Sequence, residues 1–285
     1  RQKALEVVKA LGLKAEKPRK KDESGAEGIE RTQYLVFYSN QQLDRLAQLA
    51  ATTDGKITAT DAKKAADSDH GIEVALFGRM VADSKDLNVD SAVQVAHALS
   101  THAVEIESDY FTAVDDYKLD EDDAGAGMIG TVEFTSETLY RFATVAVSTL
   151  KDNLGDVDLT AQAASAFVRG FIMSMPTGKQ NTFANNTIPD AVVVQIRKGR
   201  SASFVRAFED AVNPADGGYV EPSCQALADY ARDCEQAFLG DPVASFVTRI
   251  GARTEVVGTM GTEMPVDDLV SAVRDQVVSL LRDES

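Results

Sequence analysis

Residues 104–134 read VEIESDYFTAVDDYKLDEDDAGAGMIGTVEF. Two β-prone runs, Tyr110-Phe111-Thr112-Ala113-Val114 and Thr131-Val132-Glu133-Phe134, flank an acidic, glycine-rich middle. This pattern predicts a long hairpin with an acidic tip. From Asp115 to Asp123 the tip holds six acidic residues against Lys118 alone. Gly125-Ala126-Gly127-Met128-Ile129-Gly130 has the letters of a dinucleotide-binding turn. Such a turn must follow a strand and open a helix, so that amides face a pyrophosphate. Here the acidic run Asp120 to Asp123 precedes it and would repel phosphate, and strand-like sequence follows. The glycines instead give the hairpin conformational freedom and close backbone approach, and no cofactor is predicted. Asp115 and Asp116 do not have the spacing of a calcium loop, and the acids read as a solvated tip with no metal.

Outward from the hairpin, helices and short strands alternate. Leu5, Val8, Leu11 and Leu13 form an amphipathic stripe, closed by the breaker-rich Lys17-Pro18-Arg19-Lys20-Lys21 and a loop over 22–29. Leu35 to Tyr38 predicts a short strand. Asn40 predicts a cap for a helix through Leu49, with Leu43, Leu46 and Leu49 on one face. A helical stretch covers Thr60 to Ala66, and Val74 to Val81 reads as a buried segment. Beyond the hairpin, Leu139 to Val147 predicts a strand, with a helix as the alternative. Thr160 to Met175 is helical, Ala191 to Ile196 is a strand, and Pro222 to Phe238 is a helix with Leu227 and Tyr230 inward. Pro265 to Leu281 is a helix with Asp267 and Asp268 at its positive end. The order is α+β, with no repeat of solenoid length.

Of 285 residues, 44% are hydrophobic, enough for a substantial core in one large domain or two smaller ones. The chain carries 29 basic and 45 acidic side chains, a net charge of −16. That balance counts against a simple cationic sleeve for nucleic acid, but net charge does not report where charges sit. Residues 1–21 hold eight basic groups against Glu6 and Glu16, so they run opposite to the rest. Cys224 and Cys234, ten apart, read as core thiols in a reducing, cytoplasmic compartment. No apolar run approaches a membrane span. Arg1 is not an initiator methionine, and a missing beginning is expected.

Gly178-Lys179 lacks the Ser or Thr, and the earlier glycine, of a nucleotide-binding loop. From composition, Pro176 to Thr182 reads as a solvated helix-to-strand connection. Its lysine, amides and hydroxyls also suit sugar-phosphate contacts without base readout. Asp69-His70 and Thr101-His102 offer no nucleophile, base and orienting group together, so nothing compels catalysis. On its apolar neighbours alone, Met80 reads as core.

Five stretches taken together resemble the backbone subunit of type I-E CRISPR Cascade surveillance complexes. They are Val74-Ala75-Leu76-Phe77-Gly78-Arg79-Met80, Val89 to Ala98, Tyr110 to Asp116, Gly127 to Phe134, and Pro176-Thr177-Gly178-Lys179-Gln180. The likeness is densest over 72–183. It implies a palm like the RNA-recognition motif (ferredoxin-like), inserted helical fingers and a long β-hairpin thumb. Along this chain the fingers would span 1–100, the thumb 101–135, and the palm with C-terminal helices 136–285.

The resemblance further implies a subunit that is not an enzyme and that polymerises along CRISPR guide RNA in antiviral defence. Its partners would be the guide, target DNA paired to the guide, copies of itself and other Cascade subunits. Ile129, near the hairpin tip and beside Met128, matches the family's wedge, and Met80 beside Arg79 matches a second one. Lys179 and Gln180, with Thr182, would meet the RNA backbone, and Lys56, Lys63 and Lys64 would meet duplex DNA. Apolar wedges suit base separation because they replace lost stacking without choosing a sequence. The family's first palm strand and basic RNA-gripping segment would precede Arg1, so this chain alone is expected to bind RNA poorly. The alternative is a metal-dependent, RNA-cleaving backbone subunit of type III kind, using Asp115 and Asp116.

Overall fold

The computed structural model describes residues 1–16, 30–81, 84–113, 128–215 and 217–283. The basic Lys17 to Lys21, the loop over 22–29, Asp115, Asp116 and the rest of the acidic tip lie outside these residues. The protein is a mixed α+β chain of many helices and small sheets. It divides into two compact units, each built from separated stretches: Arg1–Val95, Ala143–Ala184 and Val266–Ser285 in the first, and Ala96–Phe142 with Asn185–Pro265 in the second.

In the first unit, helices Gln2–Ala10, Asn40–Thr52 and Ala59–Ala66 close on a core of Val7, Leu11, Leu13, Leu46, Ile57, Ala62 and Leu87. Ser39, rather than Asn40, caps the second of these. Its hydroxyl accepts from the Gln42 amide while the Gln42 side chain accepts from the Ser39 amide, a reciprocal capping box. Gln42 is fully buried as a result, so the inward face runs Gln42–Leu46 and Leu43 is left half exposed. Buried Gln42 is well satisfied, donating to the Ala66 carbonyl at 2.7 Å and to His70 Nδ1 at 3.0 Å. The Arg45 guanidinium pairs with Asp69 and donates to the Ser68 carbonyl, locking the turn after the third helix.

A second core in this unit joins helix Ile72–Phe77, the paired strands Val93–Val95 and Ala143–Val145, and helices Val147–Leu154 and Val157–Met173. Leu139 to Val147 is therefore two short strands that run into a helix, not one strand. The expected strand over Leu35–Tyr38 is absent: that segment pairs with no strand among the described residues, and the nearby Arg31–Thr32 pairs with Ala15–Glu16. The long helix Val266–Asp283 buries Leu269, Val273, Val277 and Leu281, a strict four-residue repeat, against helix Val157–Met173.

The second unit holds the hairpin, strands Glu107–Ala113 and Met128–Phe134 in antiparallel register, as the sequence predicts. A three-stranded sheet has Ala244–Arg249 at its centre, antiparallel to Ala191–Ile196 and parallel to Thr262–Glu263. Helix Val220–Cys234 lies over it, burying Ser223, Cys224, Ala228 and Ala231, while Leu227 and Tyr230 are only half-buried. Both cysteines are free thiols, and burial pushes the Cys224 thiol up to about 11.

Candidate functional site

Met80 is 83% exposed, against the core reading of its apolar neighbours. The described residues on either side of it are held by hydrogen bonds and close backbone packing. Helix Ile72–Phe77 stops at Gly78, whose φ of 78° lies in the left-handed region. A Cβ there would stand 2.8 Å from the Val89 carbonyl oxygen, so only glycine lets the two chain segments approach. The Arg79 and Val89 backbones exchange both N–H···O bonds at 2.9 Å, and the Val81 amide donates to the Asn88 side chain at 2.7 Å. Val81 turns into the core, so alternation sends Met80 outward.

Arg79 does not point the same way. Its residue is 6% exposed, and Nε donates to the Leu87 carbonyl at 2.8 Å while Nη1 donates to the Phe37 carbonyl at 3.0 Å. The guanidinium lies 5.0 Å from the centre of the Tyr38 ring. Arg79, expected to meet RNA, is mostly buried here, and its fork ties residues 37 and 87 to the turn that carries Met80. Burial lowers the Arg79 pKa and raises that of Tyr38. Arg79 Nη2 and the Tyr38 hydroxyl are buried without hydrogen-bond partners.

Beside Met80 lies a hollow of about 110 Å³ lined by Leu13, Lys14, Gln33, Tyr34 and Leu35. Leu35 is 78% exposed. Tyr34, also lining this hollow, is 54% exposed.

On the hairpin, Ile129 and Met128 are both more than half exposed. Ile129 stands opposite Thr112 and Met128 opposite Ala113, so the two apolar side chains lie on opposite faces. Phe111 faces Gly130, where its ring fills the space of the absent side chain. The hairpin joins no other strand among the described residues. Two-stranded hairpins are marginal alone, and this one is rooted by His102. The Thr138 amide donates to His102 Nε2 at 3.0 Å, which leaves Nδ1–H to donate to the Ala103 carbonyl at 2.8 Å. The ring stacks on Tyr219 at 3.6 Å.

Lys179 is exposed at φ 55°, beginning the single turn Gln180–Phe183, with Nζ 5.6 Å from the Phe183 ring centre. Thr182 is exposed on the same turn. Lys56 and Lys64 are exposed, whereas Lys63 is held by Asp86, whose carboxyl that bond keeps below its usual range. Met80, Arg79, these lysines and the Gly178 loop belong to the first unit, and Ile129 and Met128 to the second. Among the described residues no cluster of His, Cys, Asp or Glu is placed to hold a metal ion, and no helix is long and apolar enough to cross a membrane.

The family model described as CT1975-like protein matches residues 1–272. A chain of a solved "CRISPR RNA-guided surveillance complex, pre-nicking" superposes with a TM-score of 0.77 at 30% identity, over 95% of this chain and 77% of that one. A chain of another "CRISPR RNA-guided surveillance complex" gives 0.63 at 29% identity, over 91% and 95%. No curated protein matches.

Proposed function

This chain belongs to the CT1975-like protein family and is a Cascade backbone-type subunit, and from that premise we propose that it is a non-catalytic subunit that binds guide RNA in a CRISPR surveillance complex. The observation that carries the reading is the superposition over 95% of the chain on a subunit of an RNA-guided complex. In this reading copies of the chain line up along the guide, beside other subunits of a Cascade-like complex in the cytoplasm. Target DNA then pairs with the bases left free, so that base pairing reads the sequence and the protein holds shape and backbone. The three-stranded sheet and its helices serve as the palm, and the hairpin as the thumb.

The local chemistry supports this. Met80, 83% exposed on a hydrogen-bonded turn, and Ile129, 56% exposed on the hairpin, are large apolar side chains open enough to enter between bases. Lys179 offers a phosphate contact from an exposed turn, with Gln180 and Thr182 beside it, and Lys56 and Lys64 offer contacts to duplex DNA. Arg79 acts through the turn of Met80 rather than on RNA.

The test is RNA binding by the assembled complex across a salt series. Lys179→Glu weakens binding to all sequences alike and makes the salt slope shallower by about 0.7, the value for one lost single-strand phosphate contact. An unchanged slope and affinity would remove the loop from the interface. Regularly spaced, magnesium-dependent cuts in a complementary RNA, lost on Asp115→Ala or Asp116→Ala, would overturn the non-catalytic reading.

A further inference from the structure

We propose that His102 is a positioning residue: it fixes the angle at which the hairpin leaves the body of the second unit and so sets where Ile129 stands, an assignment that rests on the guide-RNA reading above. The strands that lead into the hairpin do not form one continuous ladder. Leu99–Ser100 pairs with Leu139–Tyr140, Leu99 standing opposite Tyr140, and pairing resumes with Glu107 opposite Phe134. From Leu99 to Glu107 the first side advances eight residues while from Tyr140 to Phe134 the second covers six, so two extra residues are taken up on one side only. Among the described residues neither 101–106 nor 135–138 belongs to a strand, and Ala103 to Ile106 and Thr135 to Glu137 are exposed. An unequal insertion of this kind interrupts pairing and bends the ribbon.

The two sides of this break are held very differently. On the body side, the Thr101 carbonyl accepts from the Val212 amide at 2.9 Å, the Thr101 hydroxyl accepts from the buried Ser223 hydroxyl at 2.8 Å, and the Tyr140 hydroxyl accepts from the Phe204 amide at 3.0 Å. On the hairpin side, every residue of Glu107–Ala113 is exposed, and the hairpin joins no other strand among the described residues. At the break itself the Thr101 amide donates to the Thr138 carbonyl at 2.9 Å, but the Thr101 carbonyl is turned to Val212 and the returning bond is not formed. His102 Nε2 takes the Thr138 amide instead, at 3.0 Å, so a side chain supplies the rung that the backbone lacks. Nδ1–H donates to the Ala103 carbonyl at 2.8 Å, which ties the other side of the ribbon to the same ring. The ring is itself fixed: His102 is 9% exposed and stacks on Tyr219 at 3.6 Å.

Leverage makes this rung matter. Ile129 lies five residues beyond Phe134, about 17 Å along the strand, so a swing of roughly 10° at the break displaces it by about 3 Å. An arm free to sample many angles presents its wedge correctly in only a fraction of its states, and affinity falls by that fraction.

Two variants of the full chain separate the hydrogen bond from the ring. His102→Phe keeps a ring for Tyr219 but offers the Thr138 amide no acceptor. His102→Gln loses the ring, yet its Oε1 can accept from Thr138 while its Nε2 donates to Ala103. Residual dipolar couplings of the backbone amides report whether the hairpin shares the alignment of the three-stranded sheet. In the parent both fit one alignment; in His102→Phe the hairpin couplings shrink while those of the sheet keep their values, and His102→Gln restores them. In the assembled complex His102→Phe binds RNA about three- to tenfold more weakly, with an unchanged salt slope because no phosphate contact is lost, and His102→Gln recovers the affinity. Parent-like hairpin couplings in His102→Phe, or shrunken couplings with parent affinity, overturn the assignment. Should His102→Phe lower the unfolding midpoint of the whole chain, His102→Gln decides: parent-like couplings uphold the rung, and shrunken ones overturn it. If Ile129→Ala and Lys179→Glu also leave affinity unchanged, the guide-RNA reading has failed; if they weaken binding while His102→Phe does not, only the His102 inference has.

Discussion

Replacing Arg79 with methionine separates an interior role from an RNA contact. The substitution removes two hydrogen bonds, to the carbonyls of Leu87 at 2.8 Å and Phe37 at 3.0 Å, and the stacking over Tyr38. Each acceptor left without a donor costs about 1–3 kcal/mol when buried, and the cation–ring contact adds about 0.5–2 kcal/mol. Against this, burying a guanidinium with Nη2 unpartnered is itself unfavourable, and methionine fills part of the space. The net expectation is a loss of about 2–4 kcal/mol. For a unit of this size that lowers the midpoint of thermal unfolding by roughly 5–15 °C. Arg79→Lys keeps the charge but cannot reach both carbonyls in a fixed fork, so most of the loss remains. Unfolding is followed by differential scanning calorimetry, and RNA binding by titration at several salt concentrations. Affinity falls as the Met80 turn loosens, while the salt slope stays unchanged. A stable Arg79→Met protein whose salt slope drops by about 0.7 would refute the reasoning and make Arg79 a phosphate ligand.

Two further outcomes follow from the same region. Gly78→Ala places a Cβ at φ 78° and 2.8 Å from the Val89 carbonyl oxygen, so it destabilises by roughly 2 kcal/mol or more; an unfolding midpoint within about 1 °C of the parent would contradict this. His70 accepts from Gln42, and burial, together with the nearby Arg79 charge, holds its pKa below the ordinary 6.5. The folded protein then takes up this proton less readily than the unfolded chain. The stabilising contribution is complete above pH 6.5 and is lost as pH falls through the depressed value. His70→Asn, which does not titrate, flattens the decline in stability between about pH 7 and 5, and an equally steep decline in the variant would assign it to other groups.

The hairpin was legible because β-prone runs either side of a glycine-rich, acidic middle leave little else for the backbone to do. Ala191–Ile196 was legible for a similar reason, being a dense β-branched run. Leu35–Tyr38 has equally strand-like letters, yet a strand exists only by pairing, and among the described residues no strand lies against it. Leu43 illustrates the same limit in a helix: the stripe was correct in period, but burial of Gln42 by its capping box rotated the inward face away from it.

The chain's own letters determined that there would be amphipathic helices and a two-stranded hairpin with an acid-rich middle, because local periodicity and turn chemistry act over a few residues. The resemblance carried by five short stretches determined the family. Only the tertiary structure decided that Met80 faces outward and its neighbour Arg79 inward, that Lys63 is spent on Asp86, and that Ile129 stands opposite Thr112 across the hairpin. Each of these depends on which distant segment supplies a partner, a carbonyl at residue 37, a carboxylate at residue 86 or a strand register across the hairpin. No periodicity in the sequence encodes that choice.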